Sequence, residues 1–158
     1  MRKKEYDGEF IEELISIARE STKSYLELIK LRNKARDFLD NLRDAIEAAV
    51  EEEIKRSGIC PEEKTIHLGE EEPRINIEIV RIRGEYSDPS DPANYGVKVE
   101  IDAPLYGYLD TVLKLYEKRR EIIKHARKQV EEWRKKSEEV ASVLKALENA
   151  LTPLANVQ

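Results

Sequence analysis

The sequence is poor in the residues that most often carry chemistry. It has one cysteine, Cys60, and two histidines, His67 and His125. A single cysteine excludes an internal disulfide, and a lone thiol is typical of a reducing compartment. The acids nearest to His125 have no recognised metal-binding spacing, and the sequence has no glycine-rich phosphate loop and no nucleophile elbow. We therefore expect no enzyme activity, no cofactor and no metal site.

Long apolar runs are also missing. No stretch approaches the ~18 apolar residues that a membrane span needs. The basic cluster at the start of the sequence is not followed by the apolar segment of a secretion signal. We therefore expect a cytoplasmic protein with no membrane partner.

Aromatic residues are scarce at 6%, whereas charged residues make up 39% of the sequence. So little bulky apolar material favours an extended shape or an oligomer over a compact globule. Glutamate supplies 25 of the 33 acidic residues and glutamine occurs only twice, a composition typical of hyperthermophile proteins. We expect a single domain over residues 1–158 and a thermophilic source.

Two long regions have the heptad repeat of amphipathic helices. The first, residues 9–56, contains neither glycine nor proline and is ended by Gly58 and Pro61. The second, residues 105–151, is ended by Pro153. Neither can bury its apolar stripe alone, so we expect the two to form an antiparallel hairpin. The candidate oligomer seam of this hairpin includes Tyr25, Arg32, Phe38, Tyr116, Arg119 and Trp133.

Residues 64–102, between the two helices, alternate β-branched and polar residues at a period of two, as strands do. The expected strands are Lys64–Leu68, 74–83 and Tyr95–Asp102. They form an antiparallel meander with one apolar face, which the helix bases or another subunit must cover. The middle strand changes phase near Ile79 and Val80, which predicts a bulge or a strong twist.

The expected fold class is therefore α+β, mainly α: a long antiparallel helical hairpin, similar to a coiled coil, with a three-stranded antiparallel sheet inserted between its helices. This pairing puts Ser24 and Ser137 at the same level. Short capping signatures at both serines allow both helices to break there. Continuous helices with ordinary serines fit these residues equally well.

Charge is unevenly distributed. Residues 51–102 have a net charge of −7, whereas residues 114–136 have a net charge of +6. The basic helical segment is a candidate contact for nucleic acid or another acidic partner. Its candidate residues are Lys118, Arg120, Lys124, Arg127 and Lys128.

An ion-paired, solvated helix face is the favoured interpretation of these same charges. Glu131 with Lys135, and Glu132 with Lys136, have the spacing of stabilising pairs within a helix. The sequence also lacks the arginine and aromatic interleaving that stacks nucleic-acid bases.

Two arginines occupy seam positions where an apolar residue would bury more surface. Arg32 and Arg119 either meet acids of a neighbouring helix in an oligomer, and so fix its register, or extend to the surface. The sequence leaves these alternatives open.

Two long helices enclosing a small sheet resemble in outline the prefoldin subunits, which are chaperones. This resemblance implies a sheet that assembles subunits and helices that project to hold a protein client. The first functional hypothesis is a homo-oligomeric, non-enzymatic structural or interaction protein, for which a chaperone role and a scaffold role are both open. The alternative is a nucleic-acid-binding protein, of viral or mobile-element origin, that uses the basic half of the second helix.

Overall fold

The computed structural model describes residues 2–81, 95–104 and 106–156. Along these ranges the elements are α1 (Arg2–Ser57), β1 (Lys64–Leu68), β2 (Arg74–Arg81), β3 (Tyr95–Asp102), α2 (Tyr108–Glu117) and α3 (Arg119–Asn156). The predicted class is confirmed, since the chain is mainly helical and a three-stranded antiparallel sheet lies between the helices. None of the helices in these ranges combines the length and the apolar content that crossing a bilayer requires.

Helix α1 ends where the sequence predicts. Gly58 has a φ of +66°, the left-handed conformation that closes many helices. Its N–H donates to the Lys55 carbonyl at 3.3 Å. The Ser57 hydroxyl donates to the Ile54 carbonyl at 2.8 Å and accepts the Ile59 N–H at 3.1 Å. These bonds satisfy backbone groups that the end of a helix leaves open.

The sheet has the order β1-β2-β3, and its register is continuous through the described strands. Ile79 pairs with Val97 and Val80 pairs with Gly96. Of the two predicted alternatives, the bulge at Ile79 and Val80 is therefore wrong for the described residues, and the strong twist stays a prediction. Val80 stays half-buried on the polar face, where a β-branched side chain costs little. Residues 82 and 83 of the predicted middle strand, and the predicted loop at 84–94, lie outside the described residues.

The apolar face of the sheet contains the main core cluster. Its buried side chains are Ile75, Ile77, Val97 and Val99. Ile46, Val50 and Ile54 of α1 pack against them. Of the two covers that the sequence allowed, the base of α1 is the one that covers this face, so it is closed within one chain.

A side chain of α1 also binds the edge of the sheet. Strand β3 is an edge strand, and its Val99 N–H donates to Glu47 Oε1 at 3.0 Å. An edge strand presents unpaired N–H groups that can recruit another strand. Glu47 occupies one of these groups and fixes α1 along the strand.

The second helical region is divided at Lys118. The region predicted as one helix over 105–151 consists of α2 and α3, and α3 continues through Pro153 to Asn156. Lys118 has φ −94° and ψ 7°, outside the helical range. Helix α2 packs against α1, whereas α3 packs against β1. We call the packed part of the protein, which consists of the sheet, the base of α1, α2 and the start of α3, the body. The division at Lys118 thus directs α2 and α3 to different parts of the body.

Neither long helix breaks at the level that the serines suggested. Ser24 lies inside α1 and Ser137 lies inside α3, both without interruption. The short capping signatures compete here with the helical hydrogen bonds on both sides of them, and a single motif does not outweigh a long periodic segment.

Beyond the body the helices are exposed. We call residues 7–34 the α1 arm and residues 130–154 the α3 arm. Every residue of the two arms is exposed except Ile29, which is half-buried. Ala35 and Leu39 of α1 and Thr111 of α2 are buried in the region where α1 packs against α2.

Gly69 lies in the turn after β1 and packs against α3. We predict that Gly69→Ala destabilises the body. Gly69 has a φ of +113°, and an added Cβ would lie 3.2 Å from Arg74 Cβ and 3.4 Å from Ile122 Cγ1. The expected loss in free energy of unfolding is about 1–3 kcal/mol, measured by thermal or urea denaturation. Gly8→Ala is the matched control, since Gly8 lies in α1 with open space around it. That substitution should be neutral or stabilising by up to ~1 kcal/mol, and equal losses would contradict this explanation.

Candidate interaction site

The α1 arm displays a continuous apolar stripe. Nine large apolar side chains in it are between 50% and 60% exposed: Phe10, Ile11, Leu14, Ile15, Ile17, Tyr25, Leu26, Leu28 and Leu31. Half of each side chain is therefore in contact with solvent. Because exposed apolar patches of this extent are uncommon on folded chains that act alone, the α1 stripe is a candidate interaction surface.

The α3 arm has a second stripe of the same kind. Its exposed large apolar side chains are Val130, Trp133, Val140, Val143, Leu144, Leu147, Leu151 and Leu154. Trp133, Val140 and Leu144 line a shallow groove. Trp133 is partly exposed, and tryptophan is among the residues that contribute most to protein interfaces when they are buried there.

The six predicted seam residues do not form one site. Tyr25 and Arg32 lie exposed on the α1 arm, Phe38 lies exposed at its base, and Trp133 lies on the α3 arm. Tyr116 and Arg119 lie together where α2 meets α3. The structure thus distributes the seam over two arms and the region where they leave the body.

Arg119 has a partner within its own chain. Its guanidinium lies 3.9 Å from the centre of the Tyr116 ring and donates to the Tyr116 carbonyl at 2.6 Å. A cation over an aromatic face is attracted by the ring electrons. Both residues are exposed, so this pair forms part of the surface beside the arms. A contact between Arg119 and an acid of another copy stays a prediction.

Some contributors to the stripe were missed by the seam that the sequence defined. Phe10, Ile17 and Leu31 lie beside the seam and are exposed. The heptad spacing could have identified them, because these residues are separated by multiples of seven. Each directly precedes one of Ile11, Ala18 and Arg32 along the helix. The stripe is therefore wider than a seam between two helices.

The structure separates the five candidate basic residues. Arg120, Lys124 and Arg127 are exposed and line one shallow groove together with Arg119. Lys128 is exposed one turn after Lys124, and both residues line a second pocket. These four charges are accessible to an acidic partner.

Lys118 differs from the other four basic residues. Its Nζ donates to the Glu72 carbonyl at 3.2 Å and lies 3.7 Å from Glu71 Oε2. The side chain is 25% exposed. Lys118 therefore holds the β1–β2 turn against the point where α2 and α3 meet, and it belongs to the body of the protein rather than to the basic face.

A polar pocket of about 640 Å³ lies beside this turn. His125 is half-buried. The Gly69 N–H donates to its Nδ1 at 3.3 Å, and this bond ties His125 to the turn after β1. The pocket is lined by acids and lysines in similar numbers. In the described ranges, no three His, Cys, Asp or Glu side chains are close enough to hold a metal ion. The arrangement fastens α3 to β1.

The remaining candidate groups for chemistry also have partners. His67 Nδ1 lies 2.6 Å from Asn76 Oδ1 on the polar face of the sheet. A hydrogen bond with Cys60 raises the pKa of Tyr95 above its ordinary value. The phenol therefore stays protonated over a wider pH range, with the thiol beside it.

Neither of the two predicted ion pairs of the basic segment, Glu131 with Lys135 and Glu132 with Lys136, is found among the described residues. Glu131 is paired with Arg134, three residues later, at 2.9 Å, instead of with Lys135. Both side chains are more than half exposed, and such a pair contributes little to stability. The face is thus partly ion-paired.

Comparison of the chain with protein-family models, with curated proteins and with solved structures found no match.

We predict that Lys118→Met lowers the free energy of unfolding by about 1 kcal/mol, because the Glu72 carbonyl and Glu71 lose their partner. Urea denaturation of both proteins at one concentration measures the difference. Lys124→Met is the control, since Lys124 is exposed on the basic face and its loss should change stability by less than about 0.5 kcal/mol. Equal effects would show that Lys118 has no special role in the body.

Proposed function

We propose that this chain is a non-enzymatic structural or interaction protein that works as a homo-oligomer, in which the two arms pack against the arms of other copies. The observation that carries the proposal is the pair of exposed apolar stripes on the α1 and α3 arms. Burying a large apolar side chain stabilises an assembly by about 1.5–3 kcal/mol when burial is complete. Seventeen such side chains lie on the two arms. Their burial would contribute a large favourable free energy to assembly even if each were only half buried.

The length of the arms supports the same conclusion. Most helical stability in proteins comes from packing of an apolar face, and helices without such packing are marginal in water. The described body packs only the base of α1, the sheet, α2 and the start of α3. The outer turns of both arms therefore need a partner to stay helical.

A protein client is the second candidate occupant of the arms, as the outline of the prefoldin subunits implies. It uses the same apolar stripes and differs only in what covers them. A chain that stays monomeric at high concentration and suppresses the aggregation of an unfolded protein would favour the client. Self-association without such suppression favours the homo-oligomer.

We predict that light scattering after size exclusion gives a mass of two or more copies, and that Leu14→Glu shifts the mass toward one copy. A carboxylate at position 14 places a charge within the α1 stripe, and an interface cannot bury an unpaired charge without a large cost in free energy. Helix content measured by circular dichroism should then fall on dilution, because unpacked arms unfold.

Ser16→Glu is the matched control for this variant. It adds the same side chain two residues away on the same helix, outside the apolar stripe. Its mass should equal that of the unchanged protein. A monomeric unchanged protein at high concentration would refute the homo-oligomer.

The alternative function is nucleic-acid binding through the basic face, and the specific observation in its favour is the exposed cluster of Arg120, Lys124 and Arg127. If these residues bind phosphates, affinity for duplex or single-stranded DNA must fall steeply with salt. Replacing all three with glutamine should then lower the slope of log affinity against log salt concentration by about two to three, which corresponds to the loss of two to three phosphate contacts. No binding even at low salt would remove this alternative.

A further inference from the structure

The α1 arm is divided into halves of opposite charge. Residues 7–20 have five acids and one base, a net charge of −4, whereas residues 21–36 have five bases and one acid, a net charge of +4. Two such arms that pair in parallel bring like charges together along their whole length. Antiparallel pairing brings each half next to the half of opposite sign, which is favourable for charges within a Debye length of about 8–10 Å.

The α3 segment disfavours pairing between the two arms of one chain. Residues 119–136 have a net charge of +5 and residues 137–156 have a net charge of −2. In a hairpin that puts Ser24 beside Ser137, residues 7–20 would face residues 141–154, which have no net charge, and residues 21–36 would face residues 125–140, which have a net charge of +1. Neither half of the α1 arm would then face a segment of opposite charge. The same mismatch applies when two copies point in one direction. Complementary charges require a second copy that points the opposite way.

Heptad positions 7, 11, 14, 18, 21, 25, 28 and 32 form the seam of the α1 arm, and they limit such a pair to registers that differ by whole heptads. In two antiparallel helices, the numbers of facing residues add to a constant. A constant of 39 places Ala18 opposite Ser21, Leu14 opposite Tyr25 and Ile11 opposite Leu28, so every seam residue faces another seam residue. All six are exposed in the single chain and free to be covered.

This register also gives the seam arginine an acidic partner. With a constant of 39, Arg32 faces Asp7, which occupies the last seam position at the other end of the arm. A shift by one heptad in one direction places Arg32 opposite Leu14, and a shift in the other direction leaves it beyond the start of the partner helix. Since an unpaired charge in a seam costs stability, the pairing of Arg32 with Asp7 fixes the register.

The acidic half still faces net positive charge in this register. Residues 7–20 lie opposite residues 19–32 of the second copy, which have four bases and two acids. The arrangement is also closed, because an antiparallel pair of identical helices is related by a two-fold axis and uses the same surface on both copies.

We infer that the α1 arms of two copies pair antiparallel, with Asp7 of each copy facing Arg32 of the other. The inference rests on the proposed homo-oligomer and names its occupant and its register. The α1 arm thereby specifies the partner as a second copy of this chain in the opposite orientation.

Cysteine cross-linking tests the orientation. In a Cys60→Ser background, which removes the only native thiol, Leu14→Cys and Tyr25→Cys are made singly and together. Within one helix the two positions are 11 residues apart, or about 16 Å, too far for a disulfide. On mild oxidation the double variant should form a covalent dimer, and so should a mixture of the two single variants. Each single variant alone should stay uncross-linked, whereas parallel arms would cross-link each of them.

Charge exchange tests the register. Asp7→Arg and Arg32→Asp should each raise the dissociation constant of the dimer about tenfold or more, because like charges then face each other in the seam. The double exchange should restore the constant to within about threefold of the unchanged protein. Lys34→Asp is the matched control, since it makes the same charge change two residues away on the outer face of the arm and should have a smaller effect.

The outcomes separate this inference from the proposed function. A monomeric unchanged protein overturns both. An oligomer in which Leu14→Cys cross-links alone, or in which the double cysteine variant never cross-links, overturns the antiparallel pair and leaves the homo-oligomer standing. An oligomer with antiparallel cross-links but no rescue by the double charge exchange overturns the pairing of Arg32 with Asp7.

Discussion

The structure depends on one constraint: each long helix has an apolar stripe that runs far beyond what its own chain covers. The body buries the part of α1 that lies on the sheet, through Ile46, Val50 and Ile54. The α1 arm and the α3 arm leave this body with their stripes exposed. Since the hydrophobic effect acts on area removed from water, the largest stabilisation still available to this chain is at the arms.

The body is built to hold the two arms at fixed points. Glu47 joins α1 to the edge of the sheet, and Lys118 joins the start of α3 to the β1–β2 turn. His125 adds a second bond between α3 and that turn. These contacts are polar and local, so they set where each arm leaves the body and leave the apolar surface of the arms free for other molecules.

Much of the fold was predictable from local patterns. Heptad spacing predicted both helical regions, and alternation over Tyr95–Asp102 predicted which residues of β3 face the core. The regular pairing through Ile79 and Val80 was not predictable, because the change of phase in the sequence suggested a bulge, whereas the strand keeps its register and places Val80 on the polar side opposite Gly96. The separation of Lys118 from Arg120, Lys124 and Arg127 had no signal in the sequence, since the Glu72 carbonyl that binds Lys118 lies 46 residues away.

The sequence by itself determined the apolar stripes, the charge halves of the arms and the alternation of the strands, because periodicity and charge belong to residues close together along the chain. Only the tertiary structure decided that α1 covers the apolar face of the sheet and that Lys118 divides the second helical region. It also decided that the arms stay exposed over nearly their whole length. These features depend on which distant residues meet, and that is set by the packing of the sheet against the helices.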